Sequence, residues 1–355
     1  MHETRRVKVG NVYIGGGAPV SIQSMTNTDT RDVFATLKQI DALTQAGCEI
    51  VRLAIPDEAA AKAFAEIRKN SMVPLVADIH FSSELAIMVM DGGADKVRIN
   101  PGNIGSEEKV RAVLEHAKSY GIPIRIGVNS GSVERRLLEK YGGVTAEALC
   151  ESALDAISYA ESFGFNDLVV SVKSSNVKQT FDAYTLLAEK TDVPLHLGVT
   201  EPGIGEDAKI KSAIGIGSLL LNGIGDTFRV SYTGDPVEEV KQAKKILCDV
   251  GLRQSGIEFV SCPTCGRTQV NLLKLAEEVK DRLEPYAKKL EDKGKHVQIA
   301  VMGCPVNGPG EAKNADLGVA CGKGVGMIIK HGELIRKVDE KDICRELIRE
   351  LEDMI

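Results

Sequence analysis

The sequence predicts an α/β protein in which a (β/α)8 TIM barrel is followed by a small α+β domain. From residue 20 to about 250, a short β-branched run is repeatedly followed by a helical stretch. Eight such units match the usual length of a TIM barrel. The pattern changes at a short polar linker, 251–256, and two cysteine-containing loops follow it. The predicted domains are therefore 1–250 and 257–355.

Each barrel strand is predicted where a β-branched run precedes a helical stretch. These strands are Val20–Met25, Glu49–Ile55, Pro74–His80, Lys96–Asn100, Pro123–Asn129, Asp167–Lys173, Pro194–Thr200 and Asp226–Tyr232. Helices lie between them, for example at Arg31–Ala46, Ser106–Tyr120 and Pro236–Val250. A doubly wound sheet is the alternative, but it usually carries a glycine-rich nucleotide fingerprint. Neither an intact GxGxxG after a strand nor a GxxxxGK(S/T) loop occurs, which favours the barrel.

The second domain mixes strands and helices in a different order. Strands are predicted at Ile257–Ser261, Val297–Met302, Leu317–Cys321 and Gly326–Lys330. Helices are predicted at Gln269–Lys289 and Asp339–Leu351. A Cys-Pro loop follows each of the first two strands.

Composition excludes several classes of function. Of 355 residues, 44 are Lys or Arg and 50 are Asp or Glu, which gives a net charge of −6. A nucleic-acid partner is not expected, because such proteins usually have a basic surface. No stretch approaches the ~18 apolar residues of a membrane helix, and the start of the chain lacks the apolar block of a secretory signal. We expect a cytoplasmic protein without a membrane partner.

Side-chain alternation predicts a polar barrel interior. Because successive strand residues point to opposite faces, Arg98 and Asn100 share one face while Val97 and Ile99 share the other. The same alternation assigns a polar set to the interior, near the carboxyl ends of the strands: Arg52, Asp78, His80, Arg98, Asn100, Arg125, Asn129, Lys173, His196, Arg229 and Ser231. That end of a TIM barrel carries the active site.

The predicted interior is strongly cationic. Asp78 alone cannot neutralise the four arginines and Lys173, and buried charge is costly without partners. Any single member of the set fits an internal ion pair equally well. Taken together, the set indicates a site for a small, multiply charged anion such as a phosphate or diphosphate. Arginine suits that role because its planar fork donates paired hydrogen bonds to phosphate oxygens.

Cysteines in two loops indicate a metal site in the second domain. The CPTC run places Cys262 and Cys265 within reach of one metal, and Cys304 stands in a similar loop. Structural zinc usually takes four ligands, and a redox dithiol does not need Cys304. Three cysteines favour a 4Fe–4S cluster with an unusual fourth ligand. From the residues alone, Cys321 and Glu311 are both candidates for that ligand.

Five runs resemble the 4-hydroxy-3-methylbut-2-enyl diphosphate synthase family in its shorter, bacterial two-domain form. They are GGGAPVSIQSMTNT at 15–28, VRINPGNIG at 97–105, HLGVTEPG at 196–203, CPTCGRT at 262–268 and MGCPVNGPGEA at 302–312. The resemblance extends over essentially the whole chain. It implies a TIM barrel and a cluster domain similar to that of sulfite and nitrite reductases. It also implies a 4Fe–4S cluster held by Cys262, Cys265, Cys304 and Glu311.

The implied reaction is the reductive ring opening and dehydration of 2-C-methyl-D-erythritol 2,4-cyclodiphosphate in the non-mevalonate isoprenoid pathway. By resemblance, the diphosphate would be held by Arg52, Arg98, Arg125, Lys173 and Ser231. The same pocket would be lined by Asn100, Asn129 and His196. Glu201 would be the acid/base, and Glu311 an exchangeable ligand. The electron donor would be a ferredoxin or a flavodoxin.

The linker also predicts how the subunits assemble. Residues 251–256 span at most ~20 Å, whereas a barrel with its helices is ~30 Å tall. A cluster domain leaving the bottom of the barrel could not reach its own mouth, so we expect a homodimer whose active site is shared. Two other functions are considered: a phosphate-sugar aldolase or isomerase with Lys173 as Schiff base, and an anion-binding protein with structural zinc.

Overall fold

A computed structural model describes residues 2–100, 104, 106–306 and 308–355. Parts of the VRINPGNIG and MGCPVNGPGEA runs therefore lie outside the described residues. The chain forms two compact units, the first ending at Leu252 and the second running from Arg253 to Ile355. Within the described part of the chain, no helix is long and apolar enough to cross a membrane.

The first unit is built on eight parallel strands, preceded by the hairpin β1 (Val7–Val9) and β2 (Val12–Ile14). The eight are β3 (Ser21–Met25), β4 (Ile50–Ala54), β5 (Leu75–Asp78), β6 (Lys96–Ile99), β7 (Ile124–Asn129), β8 (Leu168–Lys173), β9 (His196–Leu197) and β10 (Thr227–Phe228). They pair in the order β8-β7-β6-β5-β4-β3-β10-β9. A parallel bridge between Val170 and Leu195 brings β8 next to β9. The predicted barrel is confirmed.

The last two barrel strands are shorter than predicted. Regular pairing in β9 ends at Leu197 and in β10 at Phe228, rather than at Thr200 and Tyr232. A few residues beyond β9 the backbone turns, because Glu201 adopts a φ of 49° and Gly203 a φ of 108°. Such positive φ values are incompatible with an extended strand.

Nine described helices surround this sheet or extend its loops: α1 (Val33–Ala46), α2 (Glu58–Lys69), α3 (Ser83–Asp91), α4 (Glu107–Tyr120), α5 (Arg135–Tyr141), α6 (Ala146–Ser162), α7 (Val177–Ala188), α8 (Gly205–Leu221) and α9 (Pro236–Asp249). Several begin at a residue whose side chain accepts a hydrogen bond from the first turn, as Asp57 does for α2 and Asn176 for α7. Such caps satisfy backbone N–H groups that the helix itself cannot pair.

The hairpin β1–β2 closes one end of the barrel. Its buried residues Val7, Val9 and Ile14 form one apolar cluster with residues that begin the barrel strands, among them Val76 and Val169. This cluster lies at the amino ends of the strands, so polar side chains farther along the strands face the opposite, carboxyl end.

The second unit contains a five-stranded sheet. Its strands, in spatial order, are β11 (Ile257–Ser261), β12 (Val297–Met302), β13 (Leu317–Gly322), β14 (Val325–Lys330) and β15 (Glu333–Asp339). The strands β11, β12 and β13 are mutually parallel. The strand β14 pairs antiparallel with β13, and β15 pairs antiparallel with β14. The helices are α10 (Leu272–Asp292), the short α11 (Gly308–Ala312) and α12 (Ile343–Glu352).

Two helix predictions for the second unit were wrong at their boundaries. The helix α10 spans Leu272–Asp292 instead of Gln269–Lys289. The final helix begins at Ile343 instead of Asp339, because Asp339 ends the edge strand β15. The side chains of β15 are mostly exposed, so the strand lacks the apolar alternation by which buried strands are recognised.

Candidate functional site

The carboxyl ends of the barrel strands surround a cavity of about 230 Å³. Six of the predicted substrate-binding residues line this cavity: Arg52, Arg98, Arg125, Asn129, Lys173 and Ser231. Asp78, His80, Arg229 and Thr200 are also in its wall. The strand alternation explains this arrangement, because the apolar neighbours of these residues point outward to the helices.

Asp78 neutralises part of the cationic wall. Arg98 Nη1 donates to Asp78 Oδ1 at 3.1 Å, and Arg52 Nε lies 3.7 Å from Oδ2. His80 Nε2 is 3.5 Å from the same oxygen. Burial alone would raise the pKa of Asp78, but Arg52, the hydrogen bond with His80 and the charge of Arg98 hold that pKa well below its usual range.

A second counter-charge comes from a helix. Glu239 lies on α9, is almost fully buried, and accepts hydrogen bonds from Arg229 Nε and Nη2 at 3.1–3.2 Å. Strand alternation could not reveal it. The available signal was helical spacing, since Glu239 stands within the buried stripe of α9 that includes Pro236 and Ala243.

Arg125 and Lys173, which also lie in the cavity wall, are not paired in this way with any carboxylate that the structure describes. Among the residues that the structure describes, no carboxylate forms an ion pair with Arg125 or Lys173. Burial lowers the pKa of both groups well below the ordinary values, and neighbouring cations lower it further. A Cβ at Gly198 would lie 2.5 Å from Lys173 Nζ, so glycine is needed there for Lys173 to occupy its position.

The cavity therefore carries an excess of positive charge. Five cationic side chains in its wall are opposed by the carboxylates of Asp78 and Glu239, which leaves an excess of three when all are ionised. Such an arrangement attracts an anion with several charges, because the anion removes the repulsion among the cations.

A second cavity of about 300 Å³ adjoins the first and shares His80, Arg98, Asn129 and Thr200 with it. Asn100 and Glu201 line this second cavity. Glu201 holds a φ of 49°, a conformation that residues other than glycine uncommonly adopt. His196 differs from the other predicted residues, because it is fully buried and is not among the residues that line either cavity.

The cysteine loops follow adjacent parallel strands. Cys262 follows β11 and Cys304 follows β12, and Gly303 N donates to Cys262 Sγ at 3.4 Å. In the Cys265 loop, Thr268 Oγ1 accepts from Cys265 N at 3.0 Å. Glu311 is exposed on α11. Across the described ranges, no three His, Cys, Asp or Glu side chains are gathered closely enough to hold a metal ion.

Cys321, the other candidate fourth ligand, is fully buried within β13. Burial raises the pKa of its thiol to about 12. A cysteine buried within a strand is typically a structural residue, whereas the carboxylate of Glu311 is exposed.

The fold and the cavity define a TIM-barrel enzyme that binds a multiply charged anion and carries a second, cysteine-containing domain. The GcpE TIM-barrel domain matches residues 4–244, and the GcpE protein C-terminal domain matches residues 258–353. The chain belongs to the GcpE family. The family resemblance inferred from the sequence motifs is thus confirmed.

Curated relatives are similar over their whole length. A protein of Ruminiclostridium cellulolyticum named 4-hydroxy-3-methylbut-2-en-1-yl diphosphate synthase (flavodoxin) is 55% identical over 353 residues, covering 99% of this chain and 98% of the relative. Proteins with the same name from Clostridium acetobutylicum and Geobacter sulfurreducens are 55% and 53% identical, and the alignments cover 99% of this chain with 99% and 98% of the relatives.

Solved structures at low identity share the barrel fold. Dihydropteroate synthase of Yersinia pestis is 13% identical with a TM-score of 0.50, covering 70% of this chain and 98% of that chain. N-acetylneuraminic acid synthetase of Leptospira borgpetersenii is 14% identical with a TM-score of 0.50, covering 79% and 98%. At this identity the likeness concerns the fold alone.

Proposed function

We propose that this protein is a 4-hydroxy-3-methylbut-2-en-1-yl diphosphate synthase. It opens the ring of 2-C-methyl-D-erythritol 2,4-cyclodiphosphate by two-electron reduction, with loss of water, in the non-mevalonate isoprenoid pathway. The observation that carries the proposal is the cavity in which Arg125 and Lys173 have no carboxylate partner among the described residues. Its 55% identity to curated synthases over nearly the whole chain supports the same activity.

The cyclic diphosphate has the charge sign that the cationic cavity attracts. Each of its phosphorus atoms carries one ionised oxygen, so the substrate brings two negative charges at neutral pH. Arg125 and Lys173 are the cations best placed to receive them, because Asp78 and Glu239 already neutralise Arg98 and Arg229. When the ring opens, the diphosphate becomes a terminal group with more charge, and the same cations stabilise that charge as it develops.

Glu201 is the proposed acid/base. It lines the cavity that adjoins the cationic one, together with Asn100 and Asn129. A carboxyl group in the adjoining cavity can donate the proton required for the loss of water. The amide groups of Asn100 and Asn129 can orient the substrate hydroxyls toward it.

The proposed cofactor is a 4Fe–4S cluster bound by Cys262, Cys265, Cys304 and Glu311. The donor set fits such a cluster, because Cys262 and Cys304 follow neighbouring parallel strands and Gly303 N donates to Cys262 Sγ. Thiolates are the usual ligands of these clusters. When bound, the cluster would supply electrons received from a flavodoxin, the donor that the relatives' names specify, or from a ferredoxin.

The proposal includes a homodimer with a shared active site. Its support is the short linker, 251–256, which spans at most ~20 Å. The barrel residues of one subunit would then act with the cysteine loops of its partner, as a two-fold dimer permits.

The decisive experiment is anaerobic purification and cluster reconstitution, followed by turnover of the cyclic diphosphate with reduced flavodoxin. We expect a brown protein that contains iron and sulfide and forms the linear diphosphate. A colourless protein with one zinc per chain and no turnover would contradict the proposal. Trapping of Lys173 by borohydride in the presence of a phosphate sugar would instead indicate an aldolase.

A further inference from the structure

A second group of polar side chains lies inside the barrel, which we call the inner layer: Ser21, Gln23, Lys96, Arg125 and His196. Each has at most 1% of its surface exposed. Arg125 is the only member that also lines the cationic cavity. The members lie on β3, β6, β7 and β9, and they alternate with outward-facing apolar residues.

Strand register puts the inner layer next to the apolar cluster that closes the barrel. Lys96 pairs with Val76, and Arg125 pairs with Val169. Both valines contact the hairpin β1–β2. On the other side of the barrel, Thr227 pairs with both Ser21 and His196. The inner layer is thus separated from solvent by the hairpin at one end and by the cationic cavity at the other.

The inner layer has many hydrogen-bond donors without a partner. Within the described residues, no acceptor is bonded to Lys96 Nζ, to Arg125 Nε or Nη1, or to either ring nitrogen of His196. The amide of Gln23 and the hydroxyl of Ser21 are likewise unpartnered. Lys96 and Arg125 can only donate, whereas acceptors come from Gln23, Ser21 and one nitrogen of a neutral His196. Donors therefore outnumber acceptors.

The inner layer also lacks a counter-charge. Asp78 is the only acidic residue in the eight described barrel strands, and it is engaged by Arg98 and Arg52. Burial lowers the pKa of Lys96, and the charges of Arg125 and Arg52 lower it further. A water molecule supplies as many donors as acceptors, whereas a small anion only accepts and also neutralises charge. The donor excess and the missing carboxylate both favour an anion.

We propose that the inner layer binds one monatomic inorganic anion, of the size of chloride, held by Lys96, Arg125 and His196. Because all five side chains are buried and only Arg125 among them lines a cavity, the inner layer suits a monatomic ion better than a phosphate group. This site adjoins the cavity proposed for the diphosphate and shares Arg125 with it, but its occupancy does not depend on the reaction. Its anion would allow Lys96 and Arg125 to remain charged together inside the barrel.

The first test is anomalous diffraction from crystals of the cluster-loaded protein grown with sodium bromide in place of sodium chloride. We expect an anomalous peak bounded by Lys96, Arg125 and His196. The absence of a peak in the inner layer would overturn the proposal, including the case in which bromide is found in the cationic cavity alone. Because no turnover is measured, a protein without synthase activity that still binds bromide would contradict only the proposed function.

The second test measures Tm in solution at constant ionic strength while chloride replaces gluconate, which is too large for the inner layer. Once chloride exceeds its Kd, Tm should rise by roughly 3–5 °C for each tenfold increase in chloride. Lys96→Met should abolish this dependence, and Lys69→Met, at an exposed position of α2, should retain it. A wild-type Tm that is independent of chloride would overturn the proposal even if Lys96→Met failed to fold.

Discussion

Glu239 holds Arg229 with both of its carboxylate oxygens, although the two residues come from a helix and from the barrel wall. Arg229 Nη2 lies 3.2 Å from Oε1 and 3.1 Å from Oε2. The same carboxylate accepts a hydrogen bond from Ser24 Oγ at 3.3 Å and one from Tyr232 N at 3.2 Å. Glu239 thus fixes a cavity cation together with the backbone next to Ser231.

Replacement of this carboxylate should weaken both the fold and the site. We expect Glu239→Gln to lower the free energy of unfolding by about 1–3 kcal/mol, because Arg229 is left buried with one fewer charge partner. Denaturant titration measures this loss, and the KM for the cyclic diphosphate should rise in parallel. The matched control is Glu238→Gln, whose side chain is 45% exposed and pairs with Lys241 on the surface. Equal stability of the two variants would refute the role of Glu239.

Lys173 should lower the stability of the substrate-free protein and strengthen substrate binding. Lys173→Met removes a buried cation for which the described part of the chain provides no carboxylate partner. We therefore expect Tm to rise while the affinity for the cyclic diphosphate falls by about 100-fold. Calorimetric titration without reductant separates binding from turnover. Lys178→Met, at an exposed position of α7, should change neither quantity. Unaltered affinity in Lys173→Met would exclude Lys173 from the anion site.

Substrate binding should take up protons. Burial, followed by Arg125 and the other nearby cations, lowers the pKa of Lys173 in the free protein. A bound anion raises that pKa again, so Lys173 gains protons on binding and affinity falls as pH rises. The cyclic diphosphate itself does not titrate near neutral pH. Calorimetry at pH 8 in buffers of different ionisation enthalpy should reveal the uptake, and the uptake should be smaller in Lys173→Met. Binding heats that do not depend on the buffer would contradict this prediction.

Glu201 offers a variant that separates activity from stability. Because Glu201 has a φ of 49°, glycine fits its backbone without strain. Glu201→Gly should therefore keep the free energy of unfolding within about 1 kcal/mol of the wild type and abolish turnover. His331 is a matched control, since it has a φ of 47° in the turn between β14 and β15. His331→Gly should leave turnover intact. Normal turnover in Glu201→Gly would remove Glu201 from the mechanism.

The proposal that two subunits share each active site can be tested with mixed dimers. An Arg98→Ala chain should lack substrate binding, and a Cys304→Ala chain should lack a complete ligand set. Neither homodimer should be active. When the two chains are unfolded, mixed and reconstituted together, the mixed dimer should recover activity, up to about one intact site per dimer. A mixture as inactive as its components would show that each chain needs its own barrel and cysteines.

Strand alternation predicted much of the candidate site because the side-chain period of a strand is fixed by its backbone. It assigned Arg98, Arg125 and Lys173 to the interior, and all three line one cavity. Alternation gives the face of a strand but not the depth of a residue along the barrel axis. For that reason His196 was expected in the pocket, whereas it lies in the inner layer.

Other features could not be predicted from local pattern. Glu239 is a helical residue that acts on the barrel interior, and only the packed fold brings it to Arg229. The strands β1 and β2 have three residues each, too few to display a period. The edge strand β15 carries mostly exposed side chains, so its sequence resembles the start of a charged helix.

The apolar hairpin covers the amino end of the packed barrel, so the cationic cavity is reached from the carboxyl end. Val7, Val9 and Ile14 cover the amino end of the barrel. The product must therefore leave at the carboxyl end, where the substrate enters. A cavity of about 230 Å³ cannot hold substrate and product at the same time. Accumulated product should therefore compete directly with substrate, and the enzyme should slow down whenever the next step of the pathway falls behind.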